Sequence, residues 1–143
     1  MFHFISFVYA KTSENSLNGN LEMTLLWENP NPSSEMSNQT ITLLENLTNY
    51  KFYIVMFEIE LNKKGMSSTG WLSTQHSALL QGFTASLNGT EESGLLMYRY
   101  VSPVSEKSNQ VVISNGYYVG EYNKLPTVYT GACIPKRIYG IGA

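Results

Sequence analysis

Aspartate is missing from this chain: all eleven acidic residues are Glu. Asp is the short, stiff carboxylate of catalytic triads and of calcium and magnesium loops, so those constellations have little to be built from. Cysteine occurs once, at Cys133, which excludes an internal disulfide framework and any CxxC redox or zinc motif. The expected state of Cys133 is a buried or partly buried thiol. Histidine occurs only as His3 and His76, with no HxH or HxxxH spacing, so no metal site is expected. Arg99 and Arg137 are the only guanidinium groups, and the formal net charge is −2. With no basic stripe, nucleic acid is not an expected partner. Charged residues reach only 14%, against roughly a quarter in an average globular domain. No cofactor is expected.

Long apolar runs are missing too. The stretch from Met1 to Ala10 is apolar but shorter than the about 20 residues that span a bilayer. No Lys or Arg precedes it, as would be usual in a signal peptide. Neither a transmembrane segment nor membrane insertion is expected. Residues 1–20 read as an N-terminal strand or arm, and residues 21–143 as one domain.

What the chain does have is hydroxyl and amide polarity, together with ten Tyr. Its hydrophobic periodicity is two. In Leu21 to Trp27 the odd positions Leu21, Met23, Leu25 and Trp27 form an apolar face. Pro30 and Pro32 then punctuate a turn from Glu28 to Ser34. Thr40–Leu44 reads as a short strand. Tyr50–Leu61 reads as a central strand that leaves the core near Glu58 and Glu60. Asn62–Gly70 reads as a loop. Trp71–Ser73, Ala78–Leu80 and Phe83–Leu87 are short candidates, the last ended by Asn88-Gly89. Leu95–Val101 alternates and is broken by Pro103 and by Ser105 to Asn109. Val111–Ser114 and Tyr117–Val119 flank Asn115-Gly116, which predicts a type I′ hairpin. Ile134–Ile141 closes the chain. No window carries a helical stripe. The pattern predicts an all-β antiparallel sandwich or jelly-roll-like domain of eight to ten short strands.

Catalysis finds little support. Glu58 and Glu60 share a strand face and Glu91-Glu92 sit near a turn, whereas glycosidase carboxylates face each other across a cleft. Ser73 to Ser77 surrounds His76 without a nucleophile-elbow pattern. The expectation is that the protein is not an enzyme, a β-sandwich polysaccharide-active enzyme being the remote alternative. Asn38, Asn46 and Asn88 each open an N-x-Ser/Thr sequon, an expected by-product of an Asn- and Thr-rich composition. Carbohydrate contact fits better. Aromatic rings cover the apolar face of a sugar while amides and hydroxyls read its oxygens, and Trp71, Tyr117, Tyr118, Tyr122 and Tyr129 lie in or beside polar loops.

Three stretches carry a resemblance. They are Leu25-Leu26-Trp27-Glu28-Asn29-Pro30-Asn31-Pro32-Ser33-Ser34; then Gln39-Thr40-Ile41-Thr42-Leu43 followed by Tyr50 and Ile54-Val55-Met56-Phe57; then Cys133-Ile134-Pro135-Lys136-Arg137-Ile138-Tyr139-Gly140-Ile141, with Asn115-Gly116-Tyr117 ahead of the last. In that order the chain resembles, over residues 21 to 141, the β-rich C-terminal module of bacteriophage and prophage tail or tail-fibre proteins. The resemblance implies a virion location on the phage tail or surface, other virion subunits as partners and a homo-oligomer, trimeric by analogy. It also implies contact with a host cell-surface glycan or cell-wall polymer, or a purely structural role in decoration, baseplate or fibre assembly. It carries no catalytic residues. The segment Phe2 to Tyr9 has no counterpart in the module.

Overall fold

The computed structural model describes residues 22–63, 65–70, 72–85, 94–120 and 125–142. The arm at residues 1–20, Trp71, Tyr122, Asn88-Gly89 and Glu91-Glu92 lie outside them. Among the described residues there is no α-helix, only a 3-10 turn at Leu47–Asn49. The chain is an all-β sandwich of two antiparallel sheets. The described residues form eleven strands, more than the eight to ten short ones expected, and two of them, Gly94–Val104 and Ala132–Ile141, are ten or more residues long.

The first sheet contains β1 (Met23–Glu28), β3 (Phe52–Glu60), β4 (Ser67–Ser68), β5 (Leu72–Ser73) and β11 (Ala132–Ile141). β11 runs between β1 and β3, and β4 and β5 follow one another along the far side of β3. The second sheet contains β2 (Gln39–Thr42), β6 (Ala78–Ala85), β7 (Gly94–Val104), β8 (Lys107–Ile113), β9 (Tyr117–Val119) and β10 (Thr127–Val128). β7 is its spine. β6 pairs with one side of β7 from Ala78 opposite Val101 to Ala85 opposite Gly94. β8 and β9 share the other side.

The core lies between the sheets. Tyr53, Val55 and Phe57 of β3 and Ile134 and Ile138 of β11 face Leu80 of β6, Met97 and Val101 of β7, and Val111 and Ile113 of β8. Period-two alternation along twisted strands puts these residues inward. Each large aliphatic side chain so buried contributes roughly 1.5–3 kcal/mol. β3 behaves as its sequence predicts, buried from Tyr53 to Val55 and half-buried at Glu58, Ile59 and Glu60.

β1 departs from its expected apolar face. Leu26, at an even position, is fully buried, while Leu25 is exposed. A bulge is responsible: Leu25 pairs with Tyr139 and Trp27 pairs with Ile138, leaving Leu26 as the extra residue. A bulge puts two residues against one and re-aims the side chains that follow. Pro135 is tolerated inside β11 because it adjoins another irregularity, between Pro135 and Arg137 in the ladder to β3.

Asn29, just after β1, ties that end of the strand to β11. Its Nδ2 donates to the Pro135 carbonyl at 2.8 Å, and its Oδ1 accepts the Asn31 N–H at 2.8 Å. The side chain is buried, and its bond to Pro135 is made away from bulk water. Asn29→Ala is therefore expected to destabilise the protein by about 1–3 kcal/mol, the cost of a buried polar group left unmet. Urea unfolding of the variant checks this, and a change within experimental error would contradict it.

Asn115-Gly116 is not a hairpin turn. β8 and β9 do not pair with each other. Both run antiparallel to β7 along the same side, with Ile113 opposite Val101 and Tyr117 opposite Tyr98. Ser114, Asn115 and Gly116 thus face only Arg99 and Tyr100, and the segment is a bulge. Neither Asn115 nor Gly116 has the positive φ that a type I′ turn requires. The actual hairpin joins β7 to β8 at Ser105-Glu106, where the sequence predicts a break. Pro103 does not end β7. Tyr100 directs its backbone toward β8–β9, since its C=O accepts the Ser114 N–H at 2.9 Å. By alternation the Pro103 nitrogen points to the β6 side, beyond the first β6 pair at Ala78 and Val101. No ladder bond is lost there. β6 is likewise one strand, where two short candidates are expected.

Candidate functional site: a tyrosine face

The outward side of the second sheet carries aromatic rings. Tyr98 and Tyr100 lie two apart on β7, so both point away from the core, in contrast to Met97, Arg99 and Val101. The bulge at Ser114–Gly116 brings Tyr117 of β9 directly opposite Tyr98. Their rings stack with centroids 5.2 Å apart and planes 21° apart. Tyr100 meets Tyr98 edge-on at 6.0 Å. Burial raises the Tyr98 phenol above its usual value, and the neighbouring phenols of Tyr100 and Tyr117 push in the same direction.

The pairing partners complete the surface. On β6, Leu79, Gln81 and Phe83 stand opposite Tyr100, Tyr98 and Leu96. Phe83 is 73% exposed and Tyr100 is 43% exposed. Ser102 continues the row on β7, with its Oγ 2.8 Å from that of Ser77. Among the described outward-facing residues of β6, β7 and β9, none is charged.

No family model, curated protein or solved structure matches this chain.

Of the rings singled out in the sequence, Tyr117 belongs to this face. Tyr118 points the opposite way, as the next residue on a strand must. It packs against the core and meets Tyr129 edge-on at 6.0 Å. Tyr129 donates its hydroxyl to Glu60 at 3.1 Å, and burial, followed by the charge of Glu60, raises its phenol. These two rings flank the interior, away from Tyr117. Trp71 and Tyr122 lie outside the described residues. Tyr98 and Tyr100 are absent from the sequence-based candidates. The signal for them is the i, i+2 spacing within Leu95–Val101, which has meaning only once the inward face is known.

The carboxylates hold structural partners. Glu58 accepts the Asn62 N–H at 3.1 Å and lies 3.9 Å from Lys136, whose Nζ also donates to the Pro32 carbonyl. Arg137 pairs with Glu28 at 2.7 Å. The His76 carbonyl accepts the buried Tyr53 hydroxyl. Among the described residues no group of three His, Cys or Glu is placed to hold a metal ion, and no helix is long and apolar enough to cross a membrane.

Cys133 is fully buried, as expected from the sequence, and sits at a φ of 47°. Burial pushes its thiol up to about 12, the nearby Arg99 charge pulling weakly the other way. The native protein is therefore expected to resist a thiol-reactive disulfide reagent at pH 8 and to react only once unfolded. Linkage gives a second readout. A thiol whose pKa is raised on folding contributes stability below the unfolded value, and that contribution is lost as pH rises toward the folded one. From pH 9 to 10 the wild type should lose about 1 kcal/mol relative to Cys133→Ala. Urea unfolding of both proteins across that interval measures the difference, and parallel pH dependence would refute it.

Proposed function

We propose that this protein is a virion-surface binding module of the phage tail or tail-fibre type, which holds a host cell-surface glycan on the tyrosine face of its second sheet. The observation that carries the reading is the Tyr98–Tyr117–Tyr100 cluster, outward-facing on a rigid sheet and neighboured by Gln81 and Ser102. Aromatic rings of this kind present an apolar body and a hydroxyl tip with little conformational freedom to lose on binding. Among the described outward-facing residues of β6, β7 and β9 none is charged, which suits a neutral glycan better than an anionic cell-wall polymer. The resemblance of residues 21 to 141 to tail modules supports the setting, and several copies in an oligomer, a trimer by that analogy, would convert weak single contacts into firm adhesion.

The experiment is binding of the purified protein to an array of neutral and anionic oligosaccharides. Retention on neutral glycans that disappears in Tyr100→Ala supports the reading. Absence of binding to every glycan, by a protein shown to be folded and oligomeric, would reject it.

A second reading rests on Leu79 and Phe83, large apolar side chains 42% and 73% exposed beside the tyrosines. In this reading the face is covered by another virion subunit and the protein is structural. Phe83→Glu would then disperse an assembly seen by solution mass, whereas on the glycan reading the mass is unchanged.

A further inference from the structure

We infer that Arg99 is the positioning residue of the tyrosine face, acting through the backbone of the bulge rather than by touching a ligand. Arg99 lies between Tyr98 and Tyr100 on β7, but its side chain points inward and is fully buried. No carboxylate among the described residues meets it. Its guanidinium donates instead to four backbone carbonyls: Nε to Ala132 at 2.9 Å, Nη1 to Met36 at 2.9 Å and to Ser114 at 2.7 Å, and Nη2 to Thr130 at 3.0 Å. A guanidinium offers a fixed planar fork of donors, which an ammonium does not. The four acceptors come from the loop before β2, the bulge, and the turn into β11, so one side chain ties three separate segments to β7.

The bulge is the segment that matters for the face. Ser114 is held from both sides: its carbonyl accepts from Arg99, its N–H donates to the Tyr100 carbonyl at 2.9 Å, and its Oγ accepts the Tyr100 N–H at 2.9 Å. Gly116 closes over the guanidinium. A Cβ there would fall on the Tyr129 carbonyl and lie 2.7 Å from Arg99 Nη2, so the residue is Gly because the backbone passes too close for a side chain. The extra residue of this bulge puts Tyr117 opposite Tyr98. Without it, continuation of the β8 register would bring residue 116 opposite Tyr98 and turn Tyr117 to the inward side. The inward guanidinium thereby determines whether Tyr117 stands beside Tyr98 on the outward face. Its consequence for glycan binding rests on the reading above; its consequence for the ring geometry does not.

The test reads the ring geometry directly. In the aromatic proton NMR spectrum, the stacked Tyr117 ring is expected upfield of its position in Tyr98→Leu. Arg99→Lys, which keeps the charge and removes the fork, should move the Tyr117 signals to the Tyr98→Leu position and leave those of the core residue Tyr53 in place. Tyr117 signals that stay put in Arg99→Lys, or Tyr53 and Tyr117 signals that move together, would overturn the inference. If Arg99→Lys does not fold, the wild type decides: separately resolved, slowly exchanging Nη signals for Arg99, unlike those of the exposed Arg137, support a held fork, and averaged signals reject it. These readouts need no ligand, so the positioning role and the glycan reading can fail independently.

Discussion

Arg99→Met is expected to cost roughly 2–6 kcal/mol, about 1–3 kcal/mol for each of two carbonyls left without a donor. The substitution preserves much of the aliphatic stem and deletes every donor. The Thr130 carbonyl would retain the Met36 N–H at 3.0 Å, but the Met36 and Ser114 carbonyls would lose the guanidinium donors that reach them in the interior. Burial already pulls the Arg99 guanidinium down to about 10, because the site disfavours charge. Against a typical domain stability of about 5–15 kcal/mol, the loss is large enough to lower the yield of folded protein. Urea unfolding at neutral pH measures it. A loss below about 1 kcal/mol would mean that the carbonyls find other donors and that the network matters little.

The second large effect concerns binding. Tyr100→Ala and Tyr117→Ala are each expected to weaken glycan retention by tenfold or more, with stability changed by about 1 kcal/mol or less. Both rings lie on the outward face, so truncation removes ligand contact and one ring–ring pair, worth about 1 kcal/mol, without opening the core. Tyr118→Ala should behave in the opposite sense. Tyr118 packs on the interior against Tyr129, so its loss should lower stability by a few kcal/mol, as for other large-to-small changes, while the outward rings remain. Neighbouring residues with opposite outcomes form a sharp comparison. If Tyr117→Ala proves the more destabilising and Tyr118→Ala the more damaging to binding, the assignment of faces is wrong.

Much of the fold was legible from local pattern. β3 was readable because a nine-residue run mostly of β-branched and aromatic character, ending in Glu58-Ile59-Glu60, suits a strand that leaves the interior at one end. Burial of Cys133 was legible because a reactive thiol needs a nearby base and the chain has only two His. Of the candidate site, only Tyr117 was legible. Tyr98 and Tyr100 were hidden because their strand alternates equally well in either orientation, and Arg99 gives no hint that it points inward.

Composition and period-two alternation were sufficient to establish an extended, two-faced chain, because the pleat of a strand is a local property of successive residues. Pairing is a different matter. Asn115-Gly116 has the local preference for a tight turn, yet it becomes a bulge because β7 offers one long side to both β8 and β9 and because Arg99 requires carbonyls from that segment. Leu26 enters the core only through a bulge opposite β11. Register, bulges and the choice of inward face depend on partners far along the chain, and only the tertiary structure brings those partners together.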